Sequence, residues 1–212
     1  MSLLIGIVGF INSGKGTVGD YLISDYQFKG DSFAAPLKDA VSVIFGWDRE
    51  MLEGQSSESR VIREQPDEYW SEVLDREMTP RLALQLFGTE CIRNVFHPNV
   101  WSASLIKRYK TWDRNVVVTD CRFKNEIAAI RKIGGKVIRV KRGPEPDWYD
   151  YYINLVKSYN VQEIERLRKT GELPHVSETD WIGTDFDYVI NNDGTLDDLY
   201  NEIDNIMEDI RS

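Results

Sequence analysis

The feature that most constrains this chain is its opening, where an apolar segment runs directly into a glycine-rich turn. Five of the six residues in Leu3–Val8 are branched aliphatics, which is typical of a buried β-strand. Gly9 follows, then four residues, then Gly14 and Lys15. Glycine lets a backbone approach an anion closely, and the first N–H groups of a helix favour negative charge. The stretch therefore predicts a strand, a phosphate-binding loop and a helix.

The loop residues indicate how a triphosphate is held. We expect Lys15 to reach the β- and γ-phosphates as a mobile charge, and we assign it as a catalytic residue. Position 16 usually carries a hydroxyl in such loops but is glycine here, with Thr17 next. Mg²⁺ is then expected to be held mainly by phosphates and water, with Thr17 as the candidate protein ligand. The predicted ATP-binding residues are Asn12, Ser13, Gly14, Lys15, Gly16 and Thr17.

Further apolar runs predict the remaining strands of a sheet. These runs are short and rich in β-branched residues, and they occupy Val116–Thr119, Lys136–Val140, Tyr188–Ile190 and, more weakly, Phe28–Phe33. Helical patterns separate the strands, over Thr17–Ser24, Phe123–Ile133 and Leu196–Ile210. Because apolar strands alternate with helices, we expect a three-layer α/β/α P-loop NTPase fold with a mostly parallel central sheet.

Two segments interrupt the alternation of strands and helices. We expect a single P-loop domain over residues 1–212, with a substrate-side helical insertion at about 47–80 and a lid-like insertion at about 143–183. The composition of the second segment fits a solvated insertion equally well. Lys141 and Arg142 at its mouth, and His175 within it, are candidates for contact with ATP.

The overall charge limits the partners of the chain. With 35 acidic and 26 basic residues the formal charge is −9, which argues against binding duplex nucleic acid through bulk electrostatics. Two cysteines cannot form a disulfide framework. No apolar run reaches the roughly 18 residues of a membrane span, and the first residues lack the features of a secretory signal. We therefore expect a cytoplasmic protein without a membrane partner.

Basic residues further along the chain indicate a second anionic ligand. Lys38 lies near the start of a predicted helix, and Arg81 lies in an apolar helical segment. Asp120 and Arg122 follow the strand at 116–119, at the edge where ligands of parallel sheets bind. Together these groups favour an acceptor phosphate, with Arg122 as a second catalytic residue.

Each of these residues also has an ordinary structural explanation. Lys38 could be a solvated helix residue, and Arg81 could pair with Glu77 on one helix. Trp101 is more often a core residue than a base-stacking one, and Asp120 could simply cap a helix. Asp120 could also orient a magnesium-bound water or bind the acceptor. We also expect an exposed apolar helix face near Leu82–Phe87, which could serve a homodimer.

The order of the motifs resembles the phage deoxynucleoside monophosphate kinases. The resemblance is carried by GFINSGKGT, FAAPLKDA, RLALQLFGTECI, VWSASL, VVVTDCRFKNEIAAIRKIGGKVIRVKRG, HVSE and VINNDGTLDDLYNEI. It implies a kinase that uses ATP and Mg²⁺ to phosphorylate a deoxynucleoside 5′-monophosphate, in the host cytoplasm if the chain is phage-encoded. It further implies substrate contacts at Lys38, Arg60, Arg81, Thr89, Trp101, Asp120, Arg122 and Glu126.

Two other functions fit the same motifs. One is a P-loop kinase for another small molecule, such as phosphomevalonate or dephospho-coenzyme A. The other is a nucleotide-dependent switch or binding module without transfer activity, which would need no cluster of basic residues beyond the loop. The bases that the site accepts, and the discrimination between ribose and deoxyribose, remain open at this point.

Overall fold

The computed structural model describes residues 2–54 and 56–212. Its sheet contains the strands β1 (Leu4–Val8), β2 (Lys29–Asp31), β3 (Val116–Val118), β4 (Lys136–Lys141) and β5 (Tyr188–Asn191). All neighbouring strands are parallel, in the order β2-β3-β1-β4-β5. The strand that precedes the glycine-rich turn is therefore the central strand of the sheet.

Helices connect the strands. In chain order they are α1 (Lys15–Ser24), α2 (Ala35–Phe45), α3 (Arg49–Glu53), α4 (Ser57–Arg63), α5 (Glu68–Val73), α6 (Pro80–Gln85), a π-helix (Leu86–Phe96), α7 (Val100–Tyr109), α8 (Lys124–Lys132), α9 (Tyr149–Lys157), α10 (Val161–Lys169), α11 (Val176–Thr179) and α12 (Leu196–Arg211). Among the described helices, none is long and apolar enough to cross a membrane.

The chain divides into two compact units. The first runs up to Asp31 and resumes at Ile106, and the second is the helical stretch Ser32–Leu105. The segment at 47–80 lies within the second unit. The segment at 143–183 belongs to the first unit, where it forms α9, α10 and α11.

The first unit has helices on both faces of its sheet. Ile5 and Ile7 point to one face, where they pack in a buried cluster with Leu22 of α1 and Ile203 of α12. Gly6 points to the other face, where a Cβ atom would overlap the side chain of Ile130 in α8. This alternation follows from the two-residue period of a strand. The arrangement confirms the predicted three-layer α/β/α fold with a parallel central sheet.

The second unit has its own apolar core. Leu37, Val41, Leu52, Met78 and Ala83 are buried together, and partly buried aromatic rings pack around them. The residues expected to present an exposed apolar face, Leu82 to Phe87, are half-buried or buried. They pack against this core. The expectation of an exposed face at this position was wrong, because the core of the second unit uses those side chains.

The five predicted strands are confirmed, with ends that differ by at most two residues from the prediction. Helix α1 begins at Lys15 rather than at Thr17. The earlier start has a local cause, because Gly14 adopts a φ of 100° and turns the chain directly into the helix. Glycine adopts this angle without steric cost, whereas other residues rarely do.

Candidate active site

The loop between β1 and α1 has the backbone of an anion cradle. Gly9, Asn12 and Gly14 all have positive φ angles, of 150°, 63° and 100°. A Cβ atom at Gly9 would overlap the carbonyl oxygen of Val140 in β4. Glycine at position 9 thus allows the loop to pass close to the neighbouring strand, and the successive turns bring backbone N–H groups to one side.

The first N–H groups of α1 are available to a ligand. Within the described residues, the N–H groups of residues 14–17 donate to no acceptor of the chain. The Ser13 hydroxyl likewise has no hydrogen-bond partner in the described part of the chain, although this residue is only 4% exposed. Buried polar groups are normally bonded, and a helix N-terminus attracts anions. The loop therefore has the donors that a phosphate group needs.

Lys15 lies within this donor set. Its Nζ donates to the carbonyl oxygen of Phe10, at 2.5 Å. Burial of the ammonium, with the Arg122 guanidinium as a second cause, lowers the pKa of Lys15 from 10.5 to about 8, and Glu178 partly opposes the shift. A bound phosphate would relieve this unfavourable environment, because opposite charge stabilises the protonated amine.

Gly16 and Thr17 bear on magnesium binding. A Cβ atom at Gly16 would meet no atom within 4 Å, so packing does not require glycine there. The Thr17 hydroxyl is half-exposed and has no hydrogen-bond partner among the described residues. No group of three His, Cys, Asp or Glu side chains that could hold a metal occurs in the described part of the chain. The Thr17 hydroxyl nevertheless fits an ion that keeps most of its water and phosphate ligands.

Arg122 lies close enough to Lys15 to influence its titration. Its guanidinium forms an ion pair with the Glu178 carboxylate of α11. Glu178 also influences Lys15, with the opposite sign. Two cations and one carboxylate therefore share one electrostatic environment at the carboxyl ends of the strands, where ligands of parallel sheets bind.

The turn between β3 and α8 is held by Glu126. A carboxylate oxygen of Glu126 accepts hydrogen bonds from the backbone N–H groups of Arg122 (2.8 Å) and Phe123 (3.1 Å). Glu126 is 1% exposed, so these bonds position the turn and the start of α8. Asp120 is half-buried just before the turn. A substrate contact for either carboxylate stays a prediction.

The 143–183 segment packs on the phosphate loop through aromatic rings. The Phe10 ring lies 5.8 Å, 5.9 Å and 5.0 Å from the rings of Trp148, Tyr149 and Trp181, measured between centroids. Trp181 is 2% exposed. Arg139 of β4 lies over the Tyr149 and Trp181 rings. The ends of the segment are therefore part of the core of the first unit rather than solvated.

Two of the three predicted lid residues have structural partners. Lys141 forms an ion pair with Glu145 at 3.2 Å. His175 caps α11, because its Nδ1 accepts a hydrogen bond from the Ser177 N–H at 3.2 Å. Arg142 is exposed. Their contact with ATP stays a prediction.

The basic residues predicted for the acceptor lie on different helices of the second unit. Lys38 of α2 pairs with Glu53 at 2.5 Å. Burial alone would raise the pKa of Glu53, but Lys38 and Arg49 lower it below the usual value. In α4, Arg60 donates from Nε to the Gly54 carbonyl at 3.0 Å.

Arg81 of α6 pairs with Glu64 at 3.1 Å rather than with Glu77. Because α6 begins at Pro80, Glu77 lies before the helix and lacks the four-residue helical spacing that the pairing needs.

Thr89 and Trp101 are integrated into the second unit. Thr89 is 9% exposed and lies in the π-helix, which sequence patterns did not predict. The Trp101 indole N–H donates to the Gly88 carbonyl at 2.9 Å, and the ring packs against the core of the unit. π-Helices are rare, and the single-turn π-bulges of α-helices frequently lie at functional sites.

Three further residues lie in the loop or contact it or its charged neighbours, and sequence analysis assigned no role to them. Phe10 packs on the 143–183 segment, Glu178 pairs with Arg122, and Asn192 donates to the Ser13 carbonyl at 2.9 Å. The motifs GFINSGKGT, HVSE and VINNDGTLDDLYNEI contain these three positions without indicating their partners. Those partners are distant in sequence, so only the folded chain reveals them.

No family model matches the chain. A protein of Acanthamoeba polyphaga mimivirus, named "Putative deoxynucleotide monophosphate kinase", is 31% identical over 175 residues, covering 75% of this chain and 86% of that protein.

Solved kinase structures are more distant from this chain. Dephospho-CoA kinase from Campylobacter jejuni is 15% identical with a TM-score of 0.45, over 99% of this chain and 97% of that one. Shikimate kinase from Aquifex aeolicus is 14% identical with a TM-score of 0.43, over 99% and 98%. Similarities this low do not indicate the substrate.

Proposed function

The chain belongs to the same kinase family as the mimivirus protein, and we propose that it transfers the γ-phosphate of ATP to a deoxynucleoside 5′-monophosphate. The observation that carries the proposal is the set of acceptor-free N–H groups at residues 14–17, with Lys15 among them. The alignment with the relative covers most of both chains, and the name of the relative supports the choice of a deoxynucleotide acceptor.

The donor site is assigned to the phosphate loop. The N–H groups of residues 14–17 donate to the phosphate oxygens of ATP, and the Ser13 hydroxyl can donate to another. Lys15 exchanges its bond to the Phe10 carbonyl for the β- and γ-phosphates, as a point charge on a flexible stem. These donors are fixed by the backbone before ATP arrives, so little reorganisation is needed when charge develops.

Magnesium fits beside the same loop. The Thr17 hydroxyl is the protein group that we assign to it, directly or through water. Bound there, Mg²⁺ would neutralise phosphate charge and hold the phosphates in place.

The acceptor groups that we propose lie in the second unit and in the β3–α8 turn. Lys38, Arg60 and Arg81 supply positive charge for the monophosphate, and Thr89 supplies a hydroxyl. Glu53 and Glu64 pair with two of these cations, so the acceptor phosphate replaces a carboxylate rather than water. Trp101 contributes apolar surface for the base. Asp120 and Glu126 are assigned to the acceptor as well.

The chemical step needs charge neutralisation more than a base. A phosphate monoester has its second pKa near 6, so the acceptor is mostly an anionic nucleophile at neutral pH. The main barrier is repulsion between two polyanions, and catalysis consists of positioning and electrostatic stabilisation. Arg122 is assigned to the phosphoryl group in transfer, since it lies within electrostatic reach of Lys15.

An acceptor panel tests the proposal. ATP consumption is measured with each common nucleoside monophosphate, in ribo and deoxy forms, and with phosphomevalonate and dephospho-coenzyme A. We expect turnover with one or more deoxynucleoside monophosphates, and loss of that turnover in Lys15→Ala but not in Lys132→Ala, which alters an exposed lysine of α8. Turnover of a non-nucleotide acceptor alone would replace the proposed substrate, and ATP hydrolysis without any acceptor would favour a switch.

A further inference from the structure

The turn between β5 and α12 holds the phosphate loop through one side chain that has no part in the mechanism above. The side-chain amide of Asn192 donates to the carbonyl oxygen of Ser13 at 2.9 Å. The backbone N–H of Asn192 donates to the carbonyl oxygen of Lys141 in β4 at 2.8 Å. The residue is therefore anchored on the sheet at its backbone while its side chain holds the loop.

This bond determines the direction of the Gly14 N–H group. The Ser13 carbonyl and the Gly14 N–H belong to one planar peptide, and no peptide bond in the described residues is cis. In a trans peptide the two groups point in opposite directions. Because Asn192 holds the Ser13 carbonyl towards itself, the Gly14 N–H points away from Asn192. It is one of the four N–H groups that have no acceptor in the described chain.

The phosphate loop and the turn between β5 and α12 pack closely against each other. Gly14 has a φ of 100°, and a Cβ atom at this position would overlap the amide nitrogen of Asn192. The absence of a side chain at position 14 therefore serves two purposes. It permits the backbone angle, and it leaves the space that the Asn192 amide needs to reach the Ser13 carbonyl.

We propose that Asn192 is a positioning residue, which fixes the Ser13–Gly14 peptide so that the Gly14 N–H is presented to the ATP phosphates. The inference rests on the proposed function for the identity of the ligand. With the amide absent, the Ser13 carbonyl is no longer held, and the peptide can rotate towards an orientation that turns an oxygen to the phosphate. ATP binding then weakens, while binding of the acceptor nucleotide is unaffected.

The test compares Asn192→Ala and Asn192→Leu with Asp193→Ala. Leucine keeps the size of the side chain but cannot donate. Asp193 is the matched control. It lies in the same turn, where its carboxylate accepts a hydrogen bond from the Gly143 N–H at 2.6 Å, and within the described residues it makes no hydrogen bond to the phosphate loop. The dissociation constant for ATP is measured by isothermal titration calorimetry, together with the melting temperature and the KM values for both substrates.

Both Asn192 variants should bind ATP about tenfold more weakly, as for loss of one positioned hydrogen bond. Their KM for the acceptor should stay within about twofold of wild type, and Asp193→Ala should change the ATP dissociation constant by less than about twofold. Wild-type ATP affinity in both folded Asn192 variants would overturn the inference. So would an equal loss in Asp193→Ala, since the turn would then act only through stability.

Failure of this inference can be distinguished from failure of the proposed function. Wild-type protein that binds ATP but phosphorylates no deoxynucleoside monophosphate contradicts the substrate and leaves the role of Asn192 standing. Wild-type protein that binds no ATP overturns both.

Discussion

At the scale of single residues, the titration of Lys15 makes the donor site testable. Its pKa in the free protein is lowered to about 8 by burial and by Arg122, and bound phosphates should raise it again. Below pH 8 the lysine is already protonated, so ATP affinity should be nearly constant. Above pH 8 binding must take up a proton, and affinity should fall towards tenfold per pH unit.

Calorimetry from pH 6.5 to 9.5, in buffers of different ionisation enthalpy, measures both the affinity and the proton uptake. Lys15→Arg is the control, because a guanidinium stays charged over this range. A Lys15→Arg variant with the same fall in affinity above pH 8 would show that another group titrates.

A second prediction concerns two residues that shift the pKa of Lys15 in opposite directions. Arg122 lowers the pKa of Lys15 and Glu178 raises it. Arg122→Ala should therefore move the onset of the affinity loss to higher pH, and Glu178→Gln should move it to lower pH. The same titration series checks both variants. Shifts in the same direction would contradict the charge arrangement described for these three side chains.

Arg81 provides a prediction for the acceptor. Its guanidinium pairs with Glu64 in the free protein, and we assign it to the acceptor phosphate. Arg81→Ala should raise the KM for the deoxynucleoside monophosphate by roughly tenfold to a hundredfold, the effect of removing a charged hydrogen bond. The KM for ATP should not change. Steady-state kinetics measures both, with the exposed Arg76 of the same unit as the matched arginine control.

Equal effects of Arg81→Ala and Arg76→Ala on the acceptor KM would indicate a general effect of charge rather than contact. An effect of Arg81→Ala on the KM for ATP alone would place this guanidinium at the donor. Either result would remove Arg81 from the acceptor group.

At the scale of elements, helix α1 contains two glycines that differ in the space available for a side chain. A Cβ atom at Gly16 meets nothing within 4 Å, whereas a Cβ atom at Gly19 would overlap the Thr119 side chain. Gly16→Ala should therefore be neutral or stabilise the protein by about 0.5–1 kcal/mol, through helix propensity. Gly19→Ala should destabilise it by about 1–3 kcal/mol, through overpacking.

Urea denaturation of the two variants measures the free energy of unfolding, and the substitution is identical in both. The matched pair separates helix propensity from packing. A loss of stability in Gly16→Ala equal to that in Gly19→Ala would contradict the packing of α1 against the β3 end.

The elements also show what a sequence can predict. The strands and α1 were predictable because their signals are local, namely β-branched runs and a glycine-rich turn. The π-helix Leu86–Phe96 was not, since its residues fit an ordinary amphipathic pattern. The Arg81–Glu64 pair was missed because the predicted alternative assumed that a helix already included Glu77.

At the scale of the whole molecule, the parts of the site that escaped prediction are long-range contacts. Asn192 and Ser13 are 179 positions apart, and Arg122 and Glu178 are 56 apart. Each pair meets only because parallel strands bring their carboxyl ends to one edge of the sheet. The phosphate loop was predictable as a motif, whereas the side chains that hold it depend on the complete sheet.

Other whole-molecule expectations remain predictions. They are a phage origin, a cytoplasmic location, a homodimer and the absence of nucleic-acid binding. The relative in Acanthamoeba polyphaga mimivirus places the family in at least one virus. The formal charge of −9 still argues that anionic ligands depend on local groups such as Lys15 and Arg122.

The most direct test of the central claim follows the γ-phosphate itself. Wild-type protein is mixed with γ-³²P-labelled ATP and a deoxynucleoside monophosphate from the active panel, and the products are separated. The account predicts label on the deoxynucleoside diphosphate, at a rate reduced at least about a hundredfold in Lys15→Ala. Label released only as inorganic phosphate, or transfer that is unchanged in Lys15→Ala, would contradict it.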